Sequence, residues 1–218
     1  MGHIAVEECV VPQADFWFCG SGQDSADWTP GDFLLVRNPQ FVGKLIRFGE
    51  RIDYHGKTPE RGGIDLAAYA YWNHAVAVYD ETGTLVQATP RGIVKNAPGT
   101  YKPTNYVYVH LDVGHDNNGR FHGTPGPQIS RLRAREYLDY HVGDEYGWLT
   151  VAVGIPINLL TDGHLTLGVA QSEICSGLVA QMTERYGCLY PESAGMIMPA
   201  DLAYIFDIPA PPGWIAQK

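Results

Sequence analysis

The stretch SEICSGLVAQMTERYG, residues 172–187, reads as a helix that opens at Ser172 and stops at Gly187. Its first turn holds Cys175, Ser176 and Gly177, which is poor helix chemistry: Gly inside a helix costs roughly 1 kcal/mol relative to Ala. With Ser172 as the cap, Cys175 takes the third helical position. Unsatisfied N–H groups and the positive helix end there favour a thiolate, the competent form of a cysteine nucleophile. The competing reading is packing. Cys175, Leu178, Val179 and Met182 fall on one helix face, and buried cysteines often serve only as small apolar residues.

A nucleophilic thiol needs a base. Of the eight histidines, His3 lies near the start of the chain, and His55, His115, His122 and His164 lie in polar or Gly-rich stretches. His141 ends a helical pattern, and His110 and His74 fall in strand patterns. His74 is distinctive as the one residue that titrates near neutrality in the uncharged run AYAYWNHAVAVY. A strand can hold an imidazole in one place, as general-base work requires, although a histidine there can equally be a satisfied core residue. An orienting acceptor for its second ring nitrogen is the next requirement. If residues 80–83 form the loop of a hairpin, Val76 pairs with Gln87, and Gln87 shares a face with His74 on the diagonal, within reach of a long side chain. A bulge at Gly83 would turn Gln87 to the opposite face.

Several elements must hold these residues. Residues 1–27 show no period and many turn formers, so an irregular arm is expected. A Pro-Gly-Asp turn leads into a strand over residues 33–37, and residues 41–48 have a helical spacing. A polar loop over 53–69 precedes a strand over 69–79, the turn DETG and the strand TLVQAT. NYVYVHLDV is a further strand. The stretch GHDNNGRFHG reads as a solvated turn: it fails the calcium-loop template, and its two histidines lack cysteine partners. SRLRAREYLDYHVG is a helix capped by Ser130 and closed near Gly143. WLTVAVGIPINLL is helical in pattern, MPADLAYIF is a short helix with Pro199 in its first turn, and residues 208–218 form an extended tail. Strands first and helices late indicate an α+β fold with an antiparallel sheet.

The 218 residues are 45% hydrophobic and 18% charged, which suits a globular core. A formal net charge of −9 disfavours nucleic acid and anionic membranes as non-specific partners. No apolar run is long enough to span a bilayer. The first twenty residues lack the basic and apolar regions of a secretory signal, so the chain is expected to be cytoplasmic as synthesised, or carried by a phage particle or released by lysis. Of the four cysteines, Cys9, Cys19, Cys175 and Cys188, none forms a C-x-x-C pair. No metal site and no cofactor are expected, and pairing of Cys9 with Cys19 stays open.

Three fragments, PGDFLLV, NHAVAVYDETGTLVQA and ICSGLVAQ, together resemble the signature segments of the NlpC family of papain-fold cysteine peptidases. With the cysteine segment last, the order resembles the circularly permuted branch, which includes relatives of lecithin retinol acyltransferase. HVGDEYGWLTV and MIMPADLAY are similar to that branch as well. The resemblance covers most of residues 28–207. It implies a permuted papain-like domain there, an antiparallel sheet or half-barrel packed against helices. It implies Cys175 as nucleophile, His74 as base and Gln87 as third polar group. Ile174 stands where the unpermuted family commonly has an acidic residue, Ala75 and Ala77 vary the strand motif, and Gln87 replaces the more usual His, Asn or Glu. Tyr146, Trp148, Ser176 and Asn73 are the candidate substrate contacts, with core packing as the other reading of the two aromatics.

The chemistry so implied is acyl transfer: Cys175 attacks a carbonyl, His74 protonates the leaving group, and the thioester is resolved by water or another acceptor, with the Cys175 N–H as oxyanion donor. The expected substrate is a peptide or small acyl compound, foremost an amide of a bacterial cell-wall peptide. An acyltransferase or thioesterase acting on lipid-linked substrates, and a non-catalytic binding protein on the same fold, are the alternatives.

Overall fold

Alternate residues of a strand face opposite sides of its sheet, and here both sets are apolar, so both faces of the sheet are covered. The computed structural model describes residues 17–19, 28–38, 66–111, 127–145, 175–185, 190, 194, 197–206 and 208–211. Within them lie six strands: β1 (Trp17–Cys19), β2 (Phe33–Val36), β3 (His74–Val78), β4 (Leu85–Thr89), β5 (Gly92–Asn96) and β6 (Tyr106–His110). They form one sheet in the order β1-β6-β2-β3-β4-β5, with every neighbouring pair antiparallel. Three helices follow or flank it: α1 (Pro127–His141), α2 (Cys175–Glu184) and α3 (Pro199–Ile205). The fold is therefore α+β with an antiparallel sheet. No helix among the described residues is long and apolar enough to cross a membrane.

One face of the sheet carries Phe33, Leu35, Ala75, Ala77, Val86, Ala88, Val107 and Val109, and the helices pack on it through Leu138, Leu178, Val179, Met182 and Leu202. Small residues at 75 and 77 leave room for α2. The opposite face carries Leu34, Val36, Val76, Val78, Leu85, Tyr106 and Tyr108, closed over by Trp28 and flanked by Tyr101. Trp28 stacks on Tyr108 at 6.0 Å and meets Tyr106 edge-on at 5.7 Å.

Several elements differ from their sequence pattern. Residues 17–19, expected within an irregular arm, form an edge strand, because pairing with β6 supplies backbone partners that the local sequence does not announce. The strand expected over 69–79 begins only at His74; Leu66–Tyr71 is a 3-10 helix. The aromatic residues there bury themselves without extending: Trp72 Nε1–H donates to Ile208 O at 2.9 Å. Strand β5 was not expected. It follows β4 through a tight turn at Gly92, whose φ is +109° and whose missing Cβ would sit 2.6 Å from Asp144 O. Helix α1 starts at Pro127, a residue suited to a first helical position, so Ser130 lies inside it and is not its cap. Gly143, at φ +100°, does follow its C-terminal end. Helix α3 matches its expectation, with Pro199 first and the Asp201 carboxylate accepting the Met198 N–H at 3.0 Å. The helical patterns at 41–48 and 148–160, and the turn at 114–123, lie outside the described residues.

Candidate active site

The β3–β4 hairpin has the unbulged register. Val78 pairs with Leu85, Ala77 pairs with Val86, and the Tyr79 N–H bonds Thr84 O at 2.8 Å. The turn is held by Asp80, whose Oδ1 accepts from the N–H groups of Thr82 and Thr84, each at 3.0 Å. The same register carried one pair further sets Val76 opposite Gln87, so Gln87 and His74 share a face on the diagonal. The contact is made: His74 Nε2 lies 2.7 Å from Gln87 Oε1. A carboxamide oxygen can only accept, so Nε2 carries the proton.

The ladders explain how a thiol enters. Between β2 and β3 the pairing continues to Val36 and His74, whereas between β3 and β4 it stops at Ala77 and Val86. Ala75 is therefore in sheet on one side and open on the other, and its N–H donates to the Cys175 sulfur. The Ser176 N–H does the same from the helix start. The Cys175 thiol and the His74 side chain are hydrogen-bonded to each other. Since Nε2 is taken by Gln87, Nδ1 is the nitrogen that serves Cys175.

Helix α2 is described from Cys175 to Glu184, and the Ser172 expected to cap it lies outside the described residues. N–H groups near a helix start lack intrahelical acceptors, and that of Ser176 meets the Cys175 sulfur. All of residues 175–180 are buried, the small Ser176 and Gly177 among them. Cys175 is 1% exposed, His74 7% and Gln87 5%. Burial by itself pushes the thiol up and the imidazolium down. The pair reverses both: the neighbouring His74 charge and the N–H donors bring Cys175 below its ordinary thiol value, and Cys175 with the Gln87 bond brings His74 above its ordinary value. A thiolate–imidazolium pair at a helix N-terminus is equipped for nucleophilic attack on a carbonyl.

Two further side chains complete the site and were not foreseen. Gln87 Oε1 also accepts from the Tyr101 hydroxyl, and Gln87 Nε2 donates to Asn96 Oδ1 at 3.0 Å. Tyr101 lies beside His74, with ring centroids 6.2 Å apart. Asn96 sits on β5, opposite Leu85 and so diagonal to Gln87; with β5 unrecognised, its position could not be read from the sequence. Tyr101 lies in the turn-rich stretch between β5 and β6, where no pattern marks it.

The remaining candidates separate. Asn73 is buried, and its amide brackets Asn38, accepting the Asn38 N–H at 2.6 Å and donating to the Asn38 carbonyl at 2.9 Å. These bonds secure the chain where it leaves β2. The Ser176 hydroxyl is buried and has no hydrogen-bond partner among the described residues. Tyr146 and Trp148 lie outside the described residues. No protein-family model matches the chain, and no curated protein matches it.

Proposed function

We propose that this protein is a cysteine hydrolase that cleaves an amide through a thioester on Cys175, on a permuted NlpC-like fold, with bacterial cell-wall peptides as the substrate class. One observation supports the reading above all: the hydrogen-bonded line from the Cys175 thiol on helix α2 through His74 to Gln87. A cysteine that only packs needs no imidazole, and a histidine that only fills a core needs no thiol.

The proposed steps follow from that line. The Cys175 thiolate attacks the carbonyl carbon, a C–S bond forms, and the C=O π pair moves to oxygen. The Cys175 N–H is the proposed donor to that oxyanion. When the tetrahedral centre collapses, His74 gives its Nδ1 proton to the amine nitrogen as the C–N bond breaks. Water then gives a proton to His74 and its oxygen to the acyl carbon, and the thiolate leaves.

The test reads the thiolate directly by its ultraviolet absorbance against pH, taken as the difference between the wild type and Cys175→Ser. Thiolate that persists well below the free-thiol pKa of about 8.5, and that retreats to higher pH in His74→Ala, supports the pair. An ordinary titration at Cys175, indifferent to His74, would defeat the enzyme reading. Turnover of acyl thioesters or lipid esters, with none of muropeptide amides, would reassign the substrate.

A further inference from the structure

We propose that Tyr101 and Asn96 are positioning residues: they hold the Gln87 carboxamide with its oxygen toward His74 and thereby keep the imidazole in the form whose Nδ1 serves Cys175. The inference rests on the reading of Cys175 and His74 as an acid–base pair.

A carboxamide has two ends of nearly equal shape and opposite polarity, so Gln87 can be wired in two ways. In one, His74 Nε2–H and the Tyr101 hydroxyl both donate to Oε1, and the amide N–H donates to Asn96. In the other, the amide N–H donates to a bare Nε2, and the imidazole carries its proton on Nδ1. Only the first leaves Nδ1 able to take a proton from the thiol. Only the first accommodates the imidazolium, both of whose nitrogens are donors. The structure has the first wiring: His74 Nε2 to Gln87 Oε1 at 2.7 Å, Tyr101 O–H to the same oxygen, and Gln87 Nε2 to Asn96 Oδ1 at 3.0 Å.

The selection comes from the two outer residues. Tyr101 offers Oε1 a second donor, and Asn96 offers the amide N–H an acceptor. Both reach the same face from beyond β4, Asn96 by its diagonal place on β5 and Tyr101 from the loop that follows. Burial, with the nearby Cys175, raises the Tyr101 phenol above its ordinary value. The phenol therefore keeps its proton, and stays a donor, over the range in which the thiol and imidazole titrate.

The experiment is nitrogen NMR of the His74 ring in the full chain carrying Cys175→Ser, at a pH where the imidazole is neutral. The expected form is the Nε2–H tautomer alone. Tyr101→Phe and Asn96→Leu are each expected to bring in the Nδ1–H form, while Asn96→Asp, which keeps an acceptor in place, retains the single tautomer. In the cysteine-bearing chain, Tyr101→Phe should reduce the thiolate fraction on the rising limb about tenfold, as the loss of one hydrogen bond implies. A merely structural role would leave the tautomer fixed. An Nδ1–H ring in the parent chain, or a tautomer unmoved by both removals, overturns the proposal. Should one variant fail to fold, the other decides. If the tautomer responds while Cys175 titrates as an ordinary thiol, the positioning stands and the hydrolase reading falls. If the ion pair forms and the tautomer is indifferent, the reverse holds.

Discussion

Two buried polar clusters lie at opposite ends of strands β2 and β3, about 13 Å apart along the strand at 3.3 Å per residue, and both contain a histidine. At one end, Asp32 is fully buried. It accepts from the Tyr108 hydroxyl, from His110 Nδ1 at 2.7 Å, from the Leu111 N–H at 3.0 Å and from Arg131 at 3.0 Å. Arg131 also donates to Leu111 O at 2.7 Å. The cluster joins the turn before β2, the end of β6 and helix α1. At the other end, the His74 imidazole faces a thiol on one side and an amide on the other, and the neighbouring Ser176 hydroxyl has no partner among the described residues. The first cluster spends its charge on closing the fold, because a buried carboxylate with several donors is satisfied as it stands. The second is satisfied in a way that depends on where one proton sits, which is the condition for proton transfer.

Substitution should separate the two ends cleanly. Cys175→Ser is expected to lower turnover of any substrate identified by at least about a thousandfold, as removal of a nucleophile does, while the urea midpoint stays close to that of the parent. Asp32→Asn should show the opposite pattern. Weakening one member of a buried ionic network costs about 3–5 kcal/mol, read as a lower urea midpoint, and turnover per folded molecule should change little. Equal stability losses from both substitutions would erase the distinction.

Acidity sharpens the comparison further. The Cys175 thiol is shifted down and the His74 imidazolium is shifted up. Activity should therefore rise as pH climbs through the lowered thiol value, since thiolate forms there. It should fall as pH climbs through the raised imidazole value, since the proton donor is lost there. The rising limb is expected below the ordinary thiol range and the falling limb above the ordinary imidazole range, as read from kcat/KM against pH. His74→Ala should remove the falling limb. The smallest effect belongs to Ser176→Ala. Its hydroxyl has no hydrogen-bond partner among the described residues, so the urea midpoint should be unchanged or slightly higher. A clear loss of stability would show a partner that the geometry does not contain.

The core of the site was legible in the sequence because it depends on short-range order. Cys175 announces itself by the helix start around it, and His74 by its isolation in an uncharged strand. Gln87 follows once the loop length fixes the register, since strand periodicity is two and the face is then determined. The 3-10 helix at Leu66–Tyr71 was less legible. Aromatic and β-branched residues mark burial as much as extension, and Tyr71 and Trp72 are buried against each other without a strand.

By itself the sequence determined the α+β class, the antiparallel hairpin, and three residues whose types suit one chemistry, because each rests on local periodicity, turn chemistry and charge. Only the tertiary structure decided that β3 and β4 part beyond Ala77 so that the Ala75 N–H turns to the Cys175 sulfur. It alone decided that residues 17–19 complete a sheet edge, and that Asn96 and Tyr101 meet Gln87. Those outcomes depend on which strands lie side by side and where their ladders end. That arrangement is set by long-range strand pairing and the packing of helices on the sheet, and not by any neighbouring stretch of chain.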